Sequence, residues 1–203
     1  MSDAVLVERR GRALIITINR PEVRNAMNLA VAQGVADAVD ELDNSPELSV
    51  AVITGAGGNF SAGMDLKAFA KGEFPYVVGR GMGFTEKPPV KPIIAAVEGN
   101  ALAGGTELVL ACDLIVAARN ARFGLPEVKR GLVPGAGGLI RLPGRVPLQK
   151  ALEWSLTGEP FTAEQAERYG LINILTEEGG ALEAAIAHHR PPRRLRAPRP
   201  GCA

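Results

Sequence analysis

Histidine, cysteine and aromatic residues are scarce in this chain of 203 residues. The only two histidines are His188 and His189 near the carboxyl terminus, which excludes a Ser/His/Asp triad in the body of the chain. For the same reason a zinc site lacks ligands, and Cys112 and Cys202 are too few for a disulfide framework. No signal peptide is recognisable, and no apolar run approaches the length of a membrane span. We therefore expect a soluble cytoplasmic protein with no bound metal and no membrane insertion.

Acidic residues are absent beyond Glu183, although five arginines lie there. Those arginines are Arg190, Arg193, Arg194, Arg196 and Arg199. Without them the basic count falls from 23 to 18 against 22 acidic residues, so the rest of the chain has a net charge of −4. A mildly acidic body offers no broad basic face, so nucleic acid is not expected as a partner.

The order of apolar segments predicts an α/β fold. Because aromatic residues make up only 4% of the chain, the core must be built from Ala, Val, Leu and Ile. Strands are predicted over 4–9, 12–19, 48–54, 93–97, 114–118 and 171–175, with helices over 28–43, 147–157 and 162–169 and another beginning at 182. This alternation favours right-handed crossovers and a mostly parallel sheet. The segment 72–89 is predicted to be a partly helical, mobile excursion over the surface.

Two glycine-rich loops follow predicted buried strands, and each is expected to lead directly into a helix. One runs from Gly55 to Lys67, the other from Gly99 to Glu107. Ligands of open α/β sheets bind at the carboxyl ends of strands, so Met64 and Gly104 could each direct a backbone N–H at the same point. Two such amides suit a carbonyl oxygen that becomes an oxyanion. The alternative interpretation is that the glycines only permit tight turns.

Glu107 and Glu127 lie 20 residues apart in otherwise apolar surroundings. Such a pair can provide one general acid and one general base if the two environments separate their pKa values. Alternatively, Glu107 is a carboxylate favoured by the positive end of a helix, and Glu127 is an ordinary loop residue.

Four motifs together show a resemblance to a known family. They are Asn19-Arg20-Pro21 with Asn25-Ala26, Phe60-Ser61-Ala62-Gly63-Met64-Asp65-Leu66-Lys67, Gly104-Gly105-Thr106-Glu107, and Phe123-Gly124-Leu125-Pro126-Glu127 with Pro134-Gly135-Ala136-Gly137-Gly138. In this order the sequence resembles the enoyl-CoA hydratase/isomerase (crotonase) family from residue 4 to about 187. The resemblance implies a spiral ββα core that binds acyl-CoA, with mostly parallel sheets flanked by helices.

The resemblance also implies roles for individual residues. The N–H groups of Met64 and Gly104 would hold the thioester oxygen, Glu107 would activate water for attack at C3, and Glu127 would deliver a proton to C2. Gly135 would help to hold the water or the glutamate loop. The expected contacts to the substrate and its CoA are Ala62, Met64, Asp65, Leu66, Lys67 and Gly104, with Lys67 for the phosphates. No cofactor is implied, because CoA is part of the substrate.

A glutamate at both positions favours a hydratase, since isomerases of the family often keep one acid. The alternatives are a double-bond isomerase or other crotonase-type lyase, and an inactive, truncated acyl-CoA-binding remnant. Residues 1–187 are the predicted catalytic core. Residues 188–203 are a predicted disordered Arg/Pro-rich tail in place of the helices that, in the family, cap the site and help to form trimers or hexamers. We interpret it as a frameshifted or truncated reading, the alternative being a tail for an acidic partner.

Overall fold

A computed structural model describes residues 4–188 of the chain. Apart from His188, the tail predicted for residues 188–203 lies outside the described residues. Within the described range, no helix combines the length and the apolar character needed to cross a membrane.

Nine strands form two sheets within residues 4–188. They are β1 (Val5–Arg10), β2 (Ala13–Ile18), β3 (Val50–Gly55), β4 (Ile93–Val97), β5 (Asn100–Leu102), β6 (Leu114–Ala118), β7 (Arg122–Gly124), β8 (Phe161–Thr162) and β9 (Ile174–Thr176). The large sheet has the order β1-β2-β3-β4-β6-β9, antiparallel only at the β1–β2 hairpin. The small sheet has the order β5-β7-β8, with β5 and β7 parallel. The prediction of an α/β fold with a mostly parallel sheet is confirmed.

In the part of the chain that the structure describes, seven α-helices connect or cover the strands. They are α1 (Leu29–Asn44), α2 (Leu66–Phe69), α3 (Gly104–Ala111), α4 (Gly138–Arg141), α5 (Leu148–Thr157), α6 (Ala163–Arg168) and α7 (Ala181–His188). Short 3-10 helices occupy Pro21–Val23, Pro126–Arg130 and Leu142–Gly144. The Asn28 side chain caps α1 by accepting from the N–H of Val31 at 3.1 Å, as its residue type predicts.

The two faces of the large sheet carry separate apolar cores. Because side chains alternate along a strand, Leu14 and Ile16 pack on the face that also meets α1 and α3. Ala13 and Ile15 point to the opposite face, which α7 covers. Parallel strands buried on both sides explain the near-continuous apolar runs of the sequence.

Three local predictions are wrong. The loop from Gly99 does not lead directly into a helix, because Asn100–Leu102 first pairs with β7 as strand β5. The loop after β3 makes a turn at Gly57 and Gly58 and contains no helix before Leu66, where α2 begins. The segment 72–89 contains no helix. Its four glycines all have positive φ, between 67° and 88°, and proline interrupts it at three positions, so a continuous helix cannot form.

Candidate active site

The loops that follow β3 and β4 lie side by side. Ser61 donates its N–H to the carbonyl of Asn100 at 2.9 Å, and Leu102 donates its N–H back to the carbonyl of Ser61 at 2.9 Å. A buried Asn25 fixes the first loop from behind, because its Nδ2 donates to the carbonyl of Asn59 at 2.7 Å. The two loops are therefore held in a fixed register.

Glycine at position 63 permits this close approach. Gly63 has φ +89°, and a Cβ there would lie 2.7 Å from Cβ of Ala103 and 3.1 Å from the amide nitrogen of Gly104. Any larger residue would separate the loops. Gly63 therefore brings the amide of Met64, its neighbour, next to that of Gly104.

Ala103 has a strained backbone just before the second amide. Its φ of 52° with ψ of −126° is unusual for a residue with a side chain. Two hydrogen bonds maintain it: the Ala103 N–H donates to Gly124 at 2.8 Å, and its carbonyl accepts from Glu107 at 3.1 Å. Strain of this kind costs about 1–3 kcal/mol and is concentrated at functional sites. Here it sets the orientation of the Gly104 amide at the start of α3.

Met64 and Gly104 both line a cavity of about 510 Å³. Within residues 4–188, the structure records no hydrogen-bond acceptor for the backbone N–H of either residue. The N–H groups at a helix start lack partners inside the helix and carry partial positive charge. These two amides are therefore available to an oxygen atom placed in the cavity.

Glu107 lies on the first turn of α3, is only 3% exposed, and lines the same cavity. Its Oε1 accepts hydrogen bonds from the N–H groups of Ala136 at 2.8 Å and Gly138 at 2.9 Å. Burial raises the pKa of Glu107, although these two donors and the nearby charge of Arg141 counteract part of that rise. The side chain is thus fixed through one oxygen, while no donor to Oε2 is recorded among the described residues.

Glu127 enters the cavity from the 3-10 helix Pro126–Arg130. Its Oε2 is buried and has no hydrogen-bond partner among the described residues. Burial raises the pKa of Glu127 to about 7, and the negative charge of Glu107 adds to the rise, while Arg130 opposes it. The two glutamates therefore differ: one is held by two amides, and the other has no donor at a buried oxygen.

The segment predicted to be a surface excursion forms a wall of this cavity. Phe74, Tyr76, Met82 and Thr85 all line it. Tyr76 donates its hydroxyl to Glu86 at 3.0 Å, and the N–H of Met82 donates to the hydroxyl of Thr85 at 2.9 Å. The thioether of Met82 lies against Gly104, since a Cβ on that glycine would be 2.5 Å from Cε of Met82.

The remaining predicted contact residues fall into two groups. Ala62, Leu66 and Gly135 line the cavity together with Met64 and Gly104. Asp65 and Lys67 are not among its lining residues. The Asp65 carboxylate instead caps α2 by accepting from the N–H groups of Lys67 and Ala68, and it pairs with Arg20 at 3.0 Å. Its function in the described chain is to hold the loop between β3 and α2.

Sequence reasoning missed several residues that line the cavity. Arg24 and Arg130 bring positive charge to it, and Met82 approaches Gly104. A signal for Arg24 is its position immediately before Asn25-Ala26, which belongs to the first of the four family motifs. Met82 carries no comparable signal, because it does not lie in a periodic segment. For Arg130 the sequence offers only its position three residues after Glu127.

Comparison with known proteins points to one family. The family model for enoyl-CoA hydratase/isomerase matches residues 8–190. Enoyl-CoA hydratase EchA19 of Mycobacterium tuberculosis is 40% identical over 196 residues, which cover 89% of this chain and 71% of that protein. The carnitinyl-CoA dehydratase of Salmonella typhi is 43% identical over 190 residues, covering 91% of this chain and 72% of its own length.

Solved structures agree with the sequence matches. The enoyl-CoA hydratase EchA1 from Mycobacterium marinum superimposes with a TM-score of 0.91 at 62% identity, covering 92% of this chain and 74% of that one. A carnitinyl-CoA dehydratase from Mycobacterium avium gives a TM-score of 0.89 at 49% identity, with 92% and 75% covered. The chain therefore spans about three quarters of the length of these relatives.

Proposed function

The chain belongs to the enoyl-CoA hydratase/isomerase family and is an enzyme of the crotonase-type hydratase class, and we propose that its cavity adds water across the 2,3 double bond of an acyl-CoA thioester. One observation carries the proposal: two amides with no acceptor among residues 4–188 and two carboxylates in different environments line the same cavity. Water addition needs all three functions, namely a base, an acid and a site for the enolate oxygen.

The thioester oxygen is proposed to accept the N–H groups of Met64 and Gly104. Negative charge develops on this oxygen when C3 is attacked, and amides that are already oriented stabilise it without reorganisation. The strained backbone at Ala103 supports this role, because it fixes the direction of the Gly104 N–H before substrate arrives.

Glu107 is proposed to be the general base. Its Oε1 is occupied by two amide donors, which leaves Oε2 to accept a proton from water as the water oxygen bonds to C3. The raised pKa strengthens the carboxylate as a base. The backbone that holds it belongs to Ala136 and Gly138, next to the predicted Gly135.

Glu127 is proposed to be the general acid. A pKa of about 7 keeps a substantial fraction of the carboxylic acid protonated near neutral pH, so it can transfer its proton to C2 as the enolate collapses. One proton leaves Glu127 and another arrives at Glu107, so exchange with solvent restores both groups after each turnover. Neither step calls for a cofactor beyond the CoA of the substrate, so we propose that none is used.

The CoA group is proposed to extend from the thioester towards Leu66, with Arg24 near its phosphates. Arg24 lines the cavity in a left-handed backbone conformation with φ 52°, which only a defined loop maintains. Lys67 remains a proposed second partner for the phosphates. Asp65 is a weaker candidate for a contact with the substrate, because its carboxylate is engaged by Arg20 and the start of α2.

The direct test is hydration of crotonyl-CoA. Loss of the enoyl-thioester absorbance, with one oxygen from labelled water found in the product, is the expected result. A shifted double bond without labelled oxygen would indicate an isomerase instead. Calorimetric binding of CoA without turnover would contradict the hydratase and support the alternative of an inactive acyl-CoA-binding protein.

A second candidate is dehydration of a carnitinyl-CoA substrate, the reaction named for several relatives. The observation in its favour is a rim of Phe69, Phe74 and Tyr76 beside the Glu86 carboxylate. Aromatic faces with a carboxylate suit the quaternary ammonium of a carnitinyl group. Equal turnover of carnitinyl-CoA and 3-hydroxybutyryl-CoA would contradict this preference, because the latter lacks the cation.

We further propose a trimer or hexamer and a cytoplasmic location. The oligomer is supported by an apolar stripe on α5, where Leu148, Leu152 and Leu156 are 47–69% exposed at a spacing of four residues. A monomeric mass by light scattering at micromolar concentration would contradict it.

A further inference from the structure

Arg141 makes two contacts that no step of the proposed reaction uses. It is the last residue of α4, and its guanidinium is partly buried. Nη1 donates to the carbonyl of Ala136 at 2.9 Å, and Nη2 donates to the carbonyl of Thr85. These carbonyls belong to segments 51 residues apart in the sequence. One side chain therefore joins two separate parts of the cavity lining.

The first contact lies directly behind the base. Ala136 accepts Arg141 at its carbonyl and donates its own N–H to Oε1 of Glu107 at 2.8 Å. Gly137, the next residue, has no room for a side chain, because a Cβ there would overlap Nη1 of Arg141. The loop that orients Glu107 is thus wrapped around the guanidinium.

The second contact of Arg141 is with the segment that contains Met82 and Thr85, which lines the cavity. The Thr85 carbonyl accepts Arg141, and its hydroxyl accepts the N–H of Met82 at 2.9 Å. Met82 in turn lies against Gly104. Thr85 is only 3% exposed, so its contacts with Arg141 and Met82 are largely shielded from water, whereas Arg141 and Met82 themselves are half-buried. Loss of the guanidinium would leave two carbonyls without their donor, which has a cost when they are buried.

We propose that Arg141 is a positioning residue for hydration. It holds Glu107 and the segment that contains Met82 and Thr85 in a fixed position relative to each other. An arginine suits this role because its planar, always charged fork can donate to two acceptors at once. Arg141 also places a positive charge near Glu107, which favours the ionised base. Among the charged residues that line the cavity, Glu127 interacts with Glu107 and with Arg130, and Arg24 and Glu86 also line it. The proposal rests on the proposed function only for its kinetic readout.

The test compares Arg141→Gln and Arg141→Lys with the unmodified protein. Arg141→Gln should lower kcat for crotonyl-CoA about 10- to 100-fold, as expected when a reacting group is misplaced. The acidic limb of its kcat profile should move to higher pH, because Glu107 loses the nearby cation. Arg141→Lys should restore that limb but not the full kcat, since one ammonium group cannot span both carbonyls.

Arg145→Gln is the matched control. Arg145 also donates its guanidinium to a backbone carbonyl, but its acceptor Cys112 does not line the cavity, whereas Ala136 and Thr85 do. It should lower the melting temperature without changing kcat or the pH profile. If Arg141→Gln has the kcat and acidic limb of the unmodified protein, the proposal is overturned. Should Arg141→Gln not fold, an Arg141→Lys protein with full kcat would overturn it equally.

A second readout separates this proposal from the proposed function. Titration of carbon-13-labelled glutamate by NMR, with the Glu107 signal assigned by its loss in Glu107→Gln, reports the pKa of Glu107 without any turnover. A higher pKa in Arg141→Gln supports an action of the guanidinium on Glu107 even if the protein does not hydrate enoyl-CoA. An unchanged titration in a folded Arg141→Gln protein contradicts it.

Discussion

The cavity has two sides that are built in different ways. The sheet side consists of residues 60–65 after β3 and residues 98–107 after β4, which hydrogen bond to each other through Ser61 and approach closely at Gly63. The outer wall consists of residues 74–86 and 126–136, which contain no strand and no α-helix. Tyr76 and Phe74 on this wall are 48% and 56% exposed, whereas Phe60 on the sheet side is fully buried.

This difference suggests a division of labour in the proposed reaction. The sheet side carries the amides that must be fixed before the charge develops, because preorganised donors are the effective ones. The outer wall is proposed to contact the variable part of the acyl group. The proposed catalytic pair spans both sides, with Glu107 on the sheet side and Glu127 on the outer wall.

Replacing either glutamate tests whether both sides supply chemistry. Glu107→Gln and Glu127→Gln should each reduce kcat about 100- to 10,000-fold, the usual loss on removing a general base or acid. CoA affinity by calorimetry should change little, because the amide retains the shape of each side chain. Glu178→Gln, at an exposed glutamate, is the control and should be fully active. Hydration at the unmodified rate in Glu127→Gln would remove the outer wall from the chemistry.

Gly104 and Gly105 are neighbours in the chain, but Gly105 faces the backbone of the sheet side, and Gly104 faces a side chain of the outer wall. A Cβ on Gly105 would lie 2.5 Å from the backbone carbonyl of Ser61, which cannot move, whereas a Cβ on Gly104 would meet only the flexible end of Met82. Gly105→Ala should therefore lower the free energy of unfolding by about 1–3 kcal/mol or more, as overpacking does. Gly104→Ala should fold with a smaller loss and a reduced kcat.

The contrast can be sharpened by making space. Combining Gly104→Ala with Met82→Ala should recover the stability lost by Gly104→Ala, while Met82→Ala should give no recovery in Gly105→Ala. Urea unfolding measures all four proteins. If Gly104→Ala and Gly105→Ala lower the free energy of unfolding equally, the two sides do not differ in rigidity.

The pH dependence separates the two acids. Because burial raises the pKa of Glu127 from 4.5 to about 7, the folded protein binds a proton that the unfolded chain has released in this range. The contribution of Glu127 to stability is therefore fully present below pH 4.5 and is lost as the pH rises towards 7. Activity that requires protonated Glu127 should also decline above pH 7.

Unfolding at pH 4.5 and pH 8 checks the sign. The stability of the unmodified protein relative to Glu127→Gln should be lower at pH 8 than at pH 4.5, because Gln has no proton to lose. A difference that is independent of pH would mean that the carboxyl is not shielded as the cavity indicates.

The sequence predicted the sheet side better than the outer wall, for physical reasons. Buried parallel strands leave long apolar runs, and the Asn28 cap follows from its residue type, so β3, β4, β6 and α1 were recognisable. Strand β5 has only three residues, too few for a period to show. The outer wall has no regular period, and its shape depends on contacts such as Arg141 to Thr85 that join distant segments. Whether Glu107 and Glu127 act as proposed stays a prediction.

Asp65 provides the smallest and most selective test, because its carboxylate supports the sheet side without lining the cavity. Burial raises the pKa of Asp65, but the Ala68 N–H and the Arg20 guanidinium lower it by more. The pKa of Asp65 is therefore below its usual value, and the carboxylate is held ionised. Asp65→Ala removes both the cap of α2 and the ion pair, and should lower the free energy of unfolding by about 1–2 kcal/mol. Asp65→Asn keeps a capping oxygen and should lose less. KM for the acyl-CoA should be unchanged in both, measured at pH 7; a several-fold rise in KM with unchanged stability would instead make Asp65 a contact to the substrate.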